Sequence, residues 1–235
     1  MSKFEKVTNF KISIFIYLWI IMEFKATYVS WSNIEEWTLK IRDMLVENNF
    51  KPEIIIGIAR GGLVPARMVS DYLLIKDLLS IKTEHWGLTA TMDGKAILAE
   101  KLNYNLKGKK VLLVDDITDT GESMKVAYEY VKSLNPEEVK TASMLYINSS
   151  SYVPDYYGEK ITRDNWAWFI FPWNVYEDTY NLSKKILDSP KSLDSISNFL
   201  KDNYNVNIEA IDLNAVLRDL ARIGLLKYNK DMFSI

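Results

Sequence analysis

Asp115, Asp116 and Asp119 stand between the apolar run Val111-Leu112-Leu113-Val114 and the small-residue stretch Thr120-Gly121-Glu122-Ser123. Two adjacent carboxylates can accept hydrogen bonds from a vicinal diol or hold a hard cation such as Mg²⁺. A loop of glycine and hydroxyl residues entering a helix offers unpaired backbone N–H groups and the positive end of the helix dipole, both suited to a phosphate. The combination predicts a phosphorylated sugar as ligand. An ordinary turn capped by one aspartate would leave the other two acids without a purpose.

The elements that must hold these residues follow from the flanks. Four consecutive β-favouring apolar residues suit a central parallel strand covered on both faces. The carboxyl end of such a strand is where ligands bind in open α/β sheets. Met124–Leu134 reads as a helix with Val126, Tyr130 and Leu134 on one stripe. A second apolar run, Ile54–Ile58, ends in Ala59-Arg60-Gly61-Gly62, and Pro65 suits the first turn of a helix running through Met68 and Leu73. Gly61 and Gly62 permit a close backbone approach. Arg60 offers a fork of donors matched to phosphate oxygens. A glycine-rich connection with a solvated arginine is the plain alternative for this segment alone.

Together the two segments resemble the signature loops of the type I phosphoribosyltransferases. The resemblance implies a ligand, phosphoribosyl pyrophosphate (PRPP), whose ribose hydroxyls are held by Asp115 and Asp116, directly or through Mg²⁺. It implies a 5′-phosphate wrapped by Thr118, Asp119, Thr120, Gly121, Glu122 and Ser123, and pyrophosphate held by Ala59, Arg60 and Gly61. In the purine members the acid matching Asp119 also lies near N7 of the base, which makes it the candidate general base. The peptide bond preceding the basic residue, here Ala59–Arg60, is often cis in the family. Lys82, at a strand end, is a candidate pyrophosphate contact, with a solvated lysine as the plainer reading.

Trp168-Phe169-Ile170-Phe171-Pro172-Trp173 resembles the base-binding segment of bacterial and archaeal purine phosphoribosyltransferases. It implies that Trp168 stacks on the purine and that Phe169 offers it backbone groups. Trp166 and Trp173 read as core, as aromatic runs commonly are. One departure concerns the base. The 6-oxopurine enzymes carry a lysine at the end of the strand after the PRPP helix, whereas that strand ends here in Leu145-Tyr146-Ile147-Asn148-Ser149. An asparagine amide carries an acceptor that the 6-amino group of adenine needs, so adenine is the expected base. Lys160 or Arg163, brought in by a loop, would restore a 6-oxopurine reading.

The 235 residues, 48% of them hydrophobic, are enough for one α/β domain with a smaller addition. The expected fold is a type I phosphoribosyltransferase α/β fold. It comprises a parallel twisted sheet flanked by helices, a flexible hood over Glu84–Gly108, and a small C-terminal helical bundle. The expected boundaries are 1–21 for an N-terminal extension, with Met22 as the true start, 22–176 for the transferase domain and 177–235 for the bundle. Ser32 and Glu35 have capping-box spacing, followed by a helical stripe of Ile34, Trp37, Ile41 and Leu45. Strands are expected at Glu53–Ile58, Leu78–Thr83, Lys110–Val114 and Val139–Ile147. C-terminal helices are expected at Tyr180–Leu187, Leu193–Tyr204 and Leu213–Ile223.

Cysteine is absent, which excludes a disulfide frame and a thiolate nucleophile. With His85 the only histidine, oxygen-ligated Mg²⁺ is the sensible metal. The formal net charge of -2 gives no reason to expect a nucleic-acid partner. The apolar stretch Ile12–Met22 is too short to span a bilayer. The expectation is therefore a cytoplasmic, homodimeric transferase that makes a nucleoside monophosphate and pyrophosphate from PRPP and a purine base. The alternative of another class is a PRPP-sensing regulator of the same fold, because Leu217–Leu226 resembles the end of a winged-helix recognition unit.

Overall fold

The computed structural model describes residues 24–85 and 96–235, so the expected N-terminal extension, the Met22 start and the tip of the hood lie outside the described residues. The described residues form two compact units, one within Ser30–Trp166 and one that combines residues 24–29 with Ala167–Ile235.

In the first unit the two apolar runs become neighbouring strands, β2 (Ile54–Ala59) and β5 (Lys110–Thr118), paired in parallel with Ile54 opposite Val111 and Gly57 opposite Val114. Between and after them come β3 (Leu78–His85), β4 (Ala96–Glu100), β6 (Glu138–Ile147) and β7 (Tyr156–Ile161). The sheet order is β4-β3-β2-β5-β6-β7, parallel throughout except for the antiparallel edge strand β4. From β2 the chain moves outward on one side to β3, and from β5 on the other side to β6 and β7. The strand order therefore reverses between β2 and β5, and their carboxyl ends open the crevice where such sheets bind ligands.

Helices α1 (Trp31–Glu47), α2 (Leu63–Tyr72) and α3 (Glu122–Ser133) flank the sheet. Ile54, Ile56 and Ile58 of β2 and Val111 and Leu113 of β5 pack with Met124, Ala127 and Val131 of α3. Each such side chain contributes roughly 1.5–3 kcal/mol on burial. The expected α3 stripe of Val126, Tyr130 and Leu134 is thus displaced: Met124, Ala127 and Val131 are the buried residues, with Tyr130 and Leu134 only partly buried at the edge of the contact. On α1 the expected stripe is buried as read, but the cap is different. Ser30, not Ser32, is the N-cap, and its capping box is closed by Asn33 instead of Glu35. Both pairs satisfy the spacing, and the asparagine amide supplies the return acceptor.

The second unit is not helices alone. β1 (Ala26–Tyr28) pairs in parallel with β8 (Trp168–Ile170). Then follow α4 (Val175–Ser183), β9 (Lys191–Ser192), α5 (Leu193–Tyr204), α6 (Leu213–Arg222), β10 (Lys227–Asn229) and β11 (Met232–Ser234). The last three strands form an antiparallel sheet in the order β10-β11-β9, and Lys230 and Asp231, both at positive φ, make the two-residue turn between β10 and β11. Leu213, Val216, Leu217 and Leu220 of α6 are buried with Ile196, Leu200 and Phe233, whereas Ile223, expected on the same stripe, is 67% exposed beyond the helix end. Among the described residues no helix is long and apolar enough to cross a membrane.

Candidate functional site

At the carboxyl ends of β2 and β5 lies a cleft of about 270 Å³. Ala59, Arg60 and Gly61 line it from one side, and Asp115, Asp116, Thr118, Asp119, Thr120, Gly121 and Ser123 from the other. Sequence motifs separated by a helix and two strands are thus brought into one crevice, because their own strands are sheet neighbours. The Ala59–Arg60 peptide bond is cis. Gly61 lies against the Asp116 carboxylate with no room for a Cβ.

β5 runs further than its apolar residues foretold, to Thr118, so Asp115 and Asp116 are buried strand residues instead of the first residues of a loop. Burial raises the Asp115 carboxyl well above the usual range, and the neighbouring Asp116 charge adds to the effect. Two dehydrated carboxylates side by side are a fitting donor set for a divalent cation. No cluster of three or more ligating residues occurs among the described residues. Mg²⁺ keeps several waters and is held through one or two carboxylates together with substrate oxygens, so Asp115 and Asp116 are the residues that would hold it. Asp119 reaches solvent at the cleft mouth, yet partial burial by the surrounding walls raises its pKa.

The phosphate-type loop is built as its residues imply. Thr118 carries a buried hydroxyl with no protein partner, an available donor beside the cleft. Gly121, at φ +87°, precedes α3, and a Cβ there would come within 2.6 Å of Ser150 Oγ and of the Tyr152 nitrogen. The loop is braced from the turn after β6: the Ser151 N–H and hydroxyl both donate to the Thr120 carbonyl, at 3.0 and 2.7 Å. That brace is absent from the sequence motifs, since Ser149–Ser151 reads as an ordinary polar turn.

Other expected residues lie apart. Glu122 is the first residue of α3 and does not line the cleft. Lys82 is paired with Glu84 on β3, and Thr83 lines the cleft in its place. Asn148 is exposed just past β6, and its N–H donates to the Ile161 carbonyl at 2.9 Å. Lys160 occupies the strand beside it, in register with Tyr146.

Trp168 and Phe169 belong to the second unit. Trp168 is 43% exposed, with Phe24 packed beside it at 5.9 Å between centroids. Trp166 is also exposed, against its reading as core, whereas Trp173 stacks on Phe171 at 5.0 Å and 6°. One residue escaped the sequence entirely. Asp178, on α4, is 7% exposed and accepts a hydrogen bond from the Trp168 indole. Burial raises its pKa to about 6, the indole donor opposes that shift, and Glu177 adds to it. No local signal marks it, because an acid in Tyr176-Glu177-Asp178 reads as solvated helix surface.

Comparison with known proteins gives a consistent family. A family model described as "Phosphoribosyl transferase domain" matches residues 30–179. A xanthine-guanine phosphoribosyltransferase of Cereibacter sphaeroides is 30% identical over 159 residues, covering 64% of this chain and 88% of that one. Xanthine phosphoribosyltransferase 1 of Saccharomyces cerevisiae is 28% identical, covering 52% and 68%. Among solved structures, a purine phosphoribosyltransferase from Pyrococcus horikoshii is 33% identical with a TM-score of 0.55, covering 63% of this chain and 94% of that one.

Proposed function

The chain belongs to the phosphoribosyl transferase domain family and is a phosphoribosyltransferase; from that premise we propose that it joins a 6-oxopurine to the ribosyl carbon of PRPP and releases pyrophosphate. The observation that carries this reading is the convergence of the Arg60-Gly61 turn and the Asp115–Ser123 segment on one cleft at the strand-order reversal.

Each chemical group has a task. Arg60 and the backbone of Ala59–Gly61 bind the departing pyrophosphate, where negative charge builds up as the glycosidic bond forms. Thr118, Thr120, Ser123 and the N-terminus of α3 hold the 5′-phosphate. Asp115 and Asp116 take the ribose hydroxyls and would hold Mg²⁺, which neutralises pyrophosphate charge when bound. Asp119, with its raised pKa, accepts the N7 proton of the incoming base. Trp168, in the other unit, has an exposed indole, and stacking of such a ring on a base is worth about 1–3 kcal/mol. Placement of the two substrates supplies most of the acceleration, and little covalent work falls to the protein.

The expectation of adenine gives way here. It rested on Asn148 standing where a lysine is usual, yet the two curated relatives carry the names of xanthine-guanine and xanthine phosphoribosyltransferases. Lys160, beside Asn148 on β7, and Arg163 after it are donors available to a 6-oxo group. A homodimer belongs to the same reading.

One assay separates the choices: PRPP and Mg²⁺ with hypoxanthine, guanine, xanthine or adenine, each alone, followed by nucleotide chromatography. Nucleotide from a 6-oxopurine is expected. Product from adenine only would overturn the base assignment, and no product from any base would overturn the transfer reaction.

A further inference from the structure

The segment after α4 lies beyond the family match, which ends at residue 179. Counted from α4, the elements run helix, strand, helix, helix, strand, strand, with an antiparallel sheet ordered β10-β11-β9. That is the winged-helix arrangement, in which the third helix and the terminal hairpin face the same way. The sequence hinted at it only through an amphipathic helix with a glycine after it; the strand pairing and the charge layout are what the fold adds.

The exposed side of α6 is specific in composition. While Leu213, Val216, Leu217 and Leu220 are buried, Asn214, Arg218 and Arg222 recur every fourth residue on the opposite side. Arg218 Nε donates to Asn214 Oδ1 at 3.2 Å, and its guanidinium lies 4.8 Å from the centre of the Tyr228 ring on β10. Arg218, Ala221, Arg222 and Tyr228 line a cleft of about 280 Å³ between helix and hairpin. The hairpin adds Lys227 and Lys230, so Leu213–Ile235 carries four basic residues against two acidic ones in a chain of net charge -2. The two acids, Asp219 and Asp231, hold Arg222 and Arg218 in ion pairs with side chains 37% and 91% exposed. Exposed pairs of that kind are worth about 0–1 kcal/mol, so a phosphate can displace them.

We infer that this appendage is a second binding site, for duplex DNA. Helix α6 enters the major groove with Asn214, Arg218 and Arg222 at the base edges, and the β10–β11 hairpin sets Lys227 and Lys230 against the backbone. A helix of about 10–12 Å diameter fits the roughly 12 Å major groove of B-form DNA and not the narrow one of double-stranded RNA. Asparagine and arginine are the side chains that pair bidentately with adenine and guanine edges. The low overall charge, which argued against a nucleic-acid partner, averages away a face confined to one helix and one hairpin.

The test is fluorescence anisotropy of a labelled mixed-sequence duplex of about 30 base pairs with the full-length protein, repeated at increasing salt. Saturable binding at about 50 mM salt is expected, falling log-linearly as salt rises. Arg218→Ala/Arg222→Ala should weaken it at least about 10-fold, and Lys230→Gln should reduce the salt slope by about one. Transfer of phosphoribosyl to base should be unchanged in these variants. Arg222→Gln, altered only at an exposed side chain, provides a second variant should the double one unfold. Absence of duplex binding at low salt, preference for single strands or RNA, equal binding by Arg222→Gln and the double variant as by the parent, or capture of a protein through this face without DNA would each overturn the inference.

Discussion

A Cβ on Gly61 would stand 2.7 Å from even the farther oxygen of the Asp116 carboxylate, so the turn after β2 and the second acid of β5 fix each other's position. Gly61→Ala must therefore displace a buried carboxylate or the turn itself. Neither group can move without disturbing its half of the cleft. The expected result is a loss of about 10²-fold in kcat/KM for PRPP, equivalent to about 2.7 kcal/mol of transition-state stabilisation, with the fold retained by circular dichroism. Unaltered kinetics would show that the contact is not part of the working site.

Asp119 is raised by burial alone. As an acceptor it must be ionised, so activity present at neutral pH is lost as pH falls through its raised pKa. The acid limb of kcat against pH should lie above the ordinary aspartate value, because burial raises Asp119. Asp119→Asn should abolish that limb and lower kcat by about 10²–10⁴-fold, leaving KM for PRPP nearly unchanged. An unchanged kcat in the variant would exclude the proton-acceptor role.

Asp178 carries a different pH signature. Its folded-state pKa of about 6 exceeds its unfolded value near 4, so its favourable contribution is complete below the unfolded pKa and is lost as pH rises through about 6. Asp178→Asn keeps an acceptor for the Trp168 indole and removes the buried charge. It should raise stability at pH 7.5 by about 1–2 kcal/mol after allowance for solvent screening, and have little effect near pH 4. Thermal melts of both proteins at the two pH values measure this. A variant less stable than the parent at pH 7.5 would contradict it.

Ser151 acts at a distance from substrate. Removing its hydroxyl by Ser151→Ala leaves the backbone N–H as the sole local donor to the Thr120 carbonyl. A loss of about 0.5–1.5 kcal/mol is expected, read as a roughly 3- to 10-fold rise in KM for PRPP with kcat little changed. A fall in kcat at constant KM would point instead to a role in the chemical step.

Much of this architecture was legible in the residues, and the exceptions have physical causes. Ile54–Ile58 and Val111–Val114 announced buried parallel strands because an uninterrupted apolar run fits no half-exposed element. Their loops announced a site because glycine and acids are costly there without a ligand. The α1 cap was misplaced by two residues because Ser30 and Ser32 both satisfy capping-box spacing, and the choice depends on which amide can turn back. Strands β9, β10 and β11, of two or three residues, are too short for a period of two to register. Asp178 could not be foreseen because burial of a helical acid is decided by what packs over it. The basic face of α6 vanished into the net charge for the same reason: a total has no position.

The pairing of Ala26–Tyr28 with Trp168–Ile170 makes the sheet unit an insertion within the other unit, entered after Val29 and left before Ala167. On the ribosome, the first strand of the outer unit must wait, unpaired, while the whole nucleotide-type sheet is synthesised and folds. Closing so long a loop costs conformational entropy, most of which the inserted unit removes in advance by folding and gathering its own ends. A mutation that slows the inner unit therefore delays the outer one as well, and a fragment beginning at Ala167 would carry Trp168–Ile170 as an unpaired edge, open to pairing with another chain.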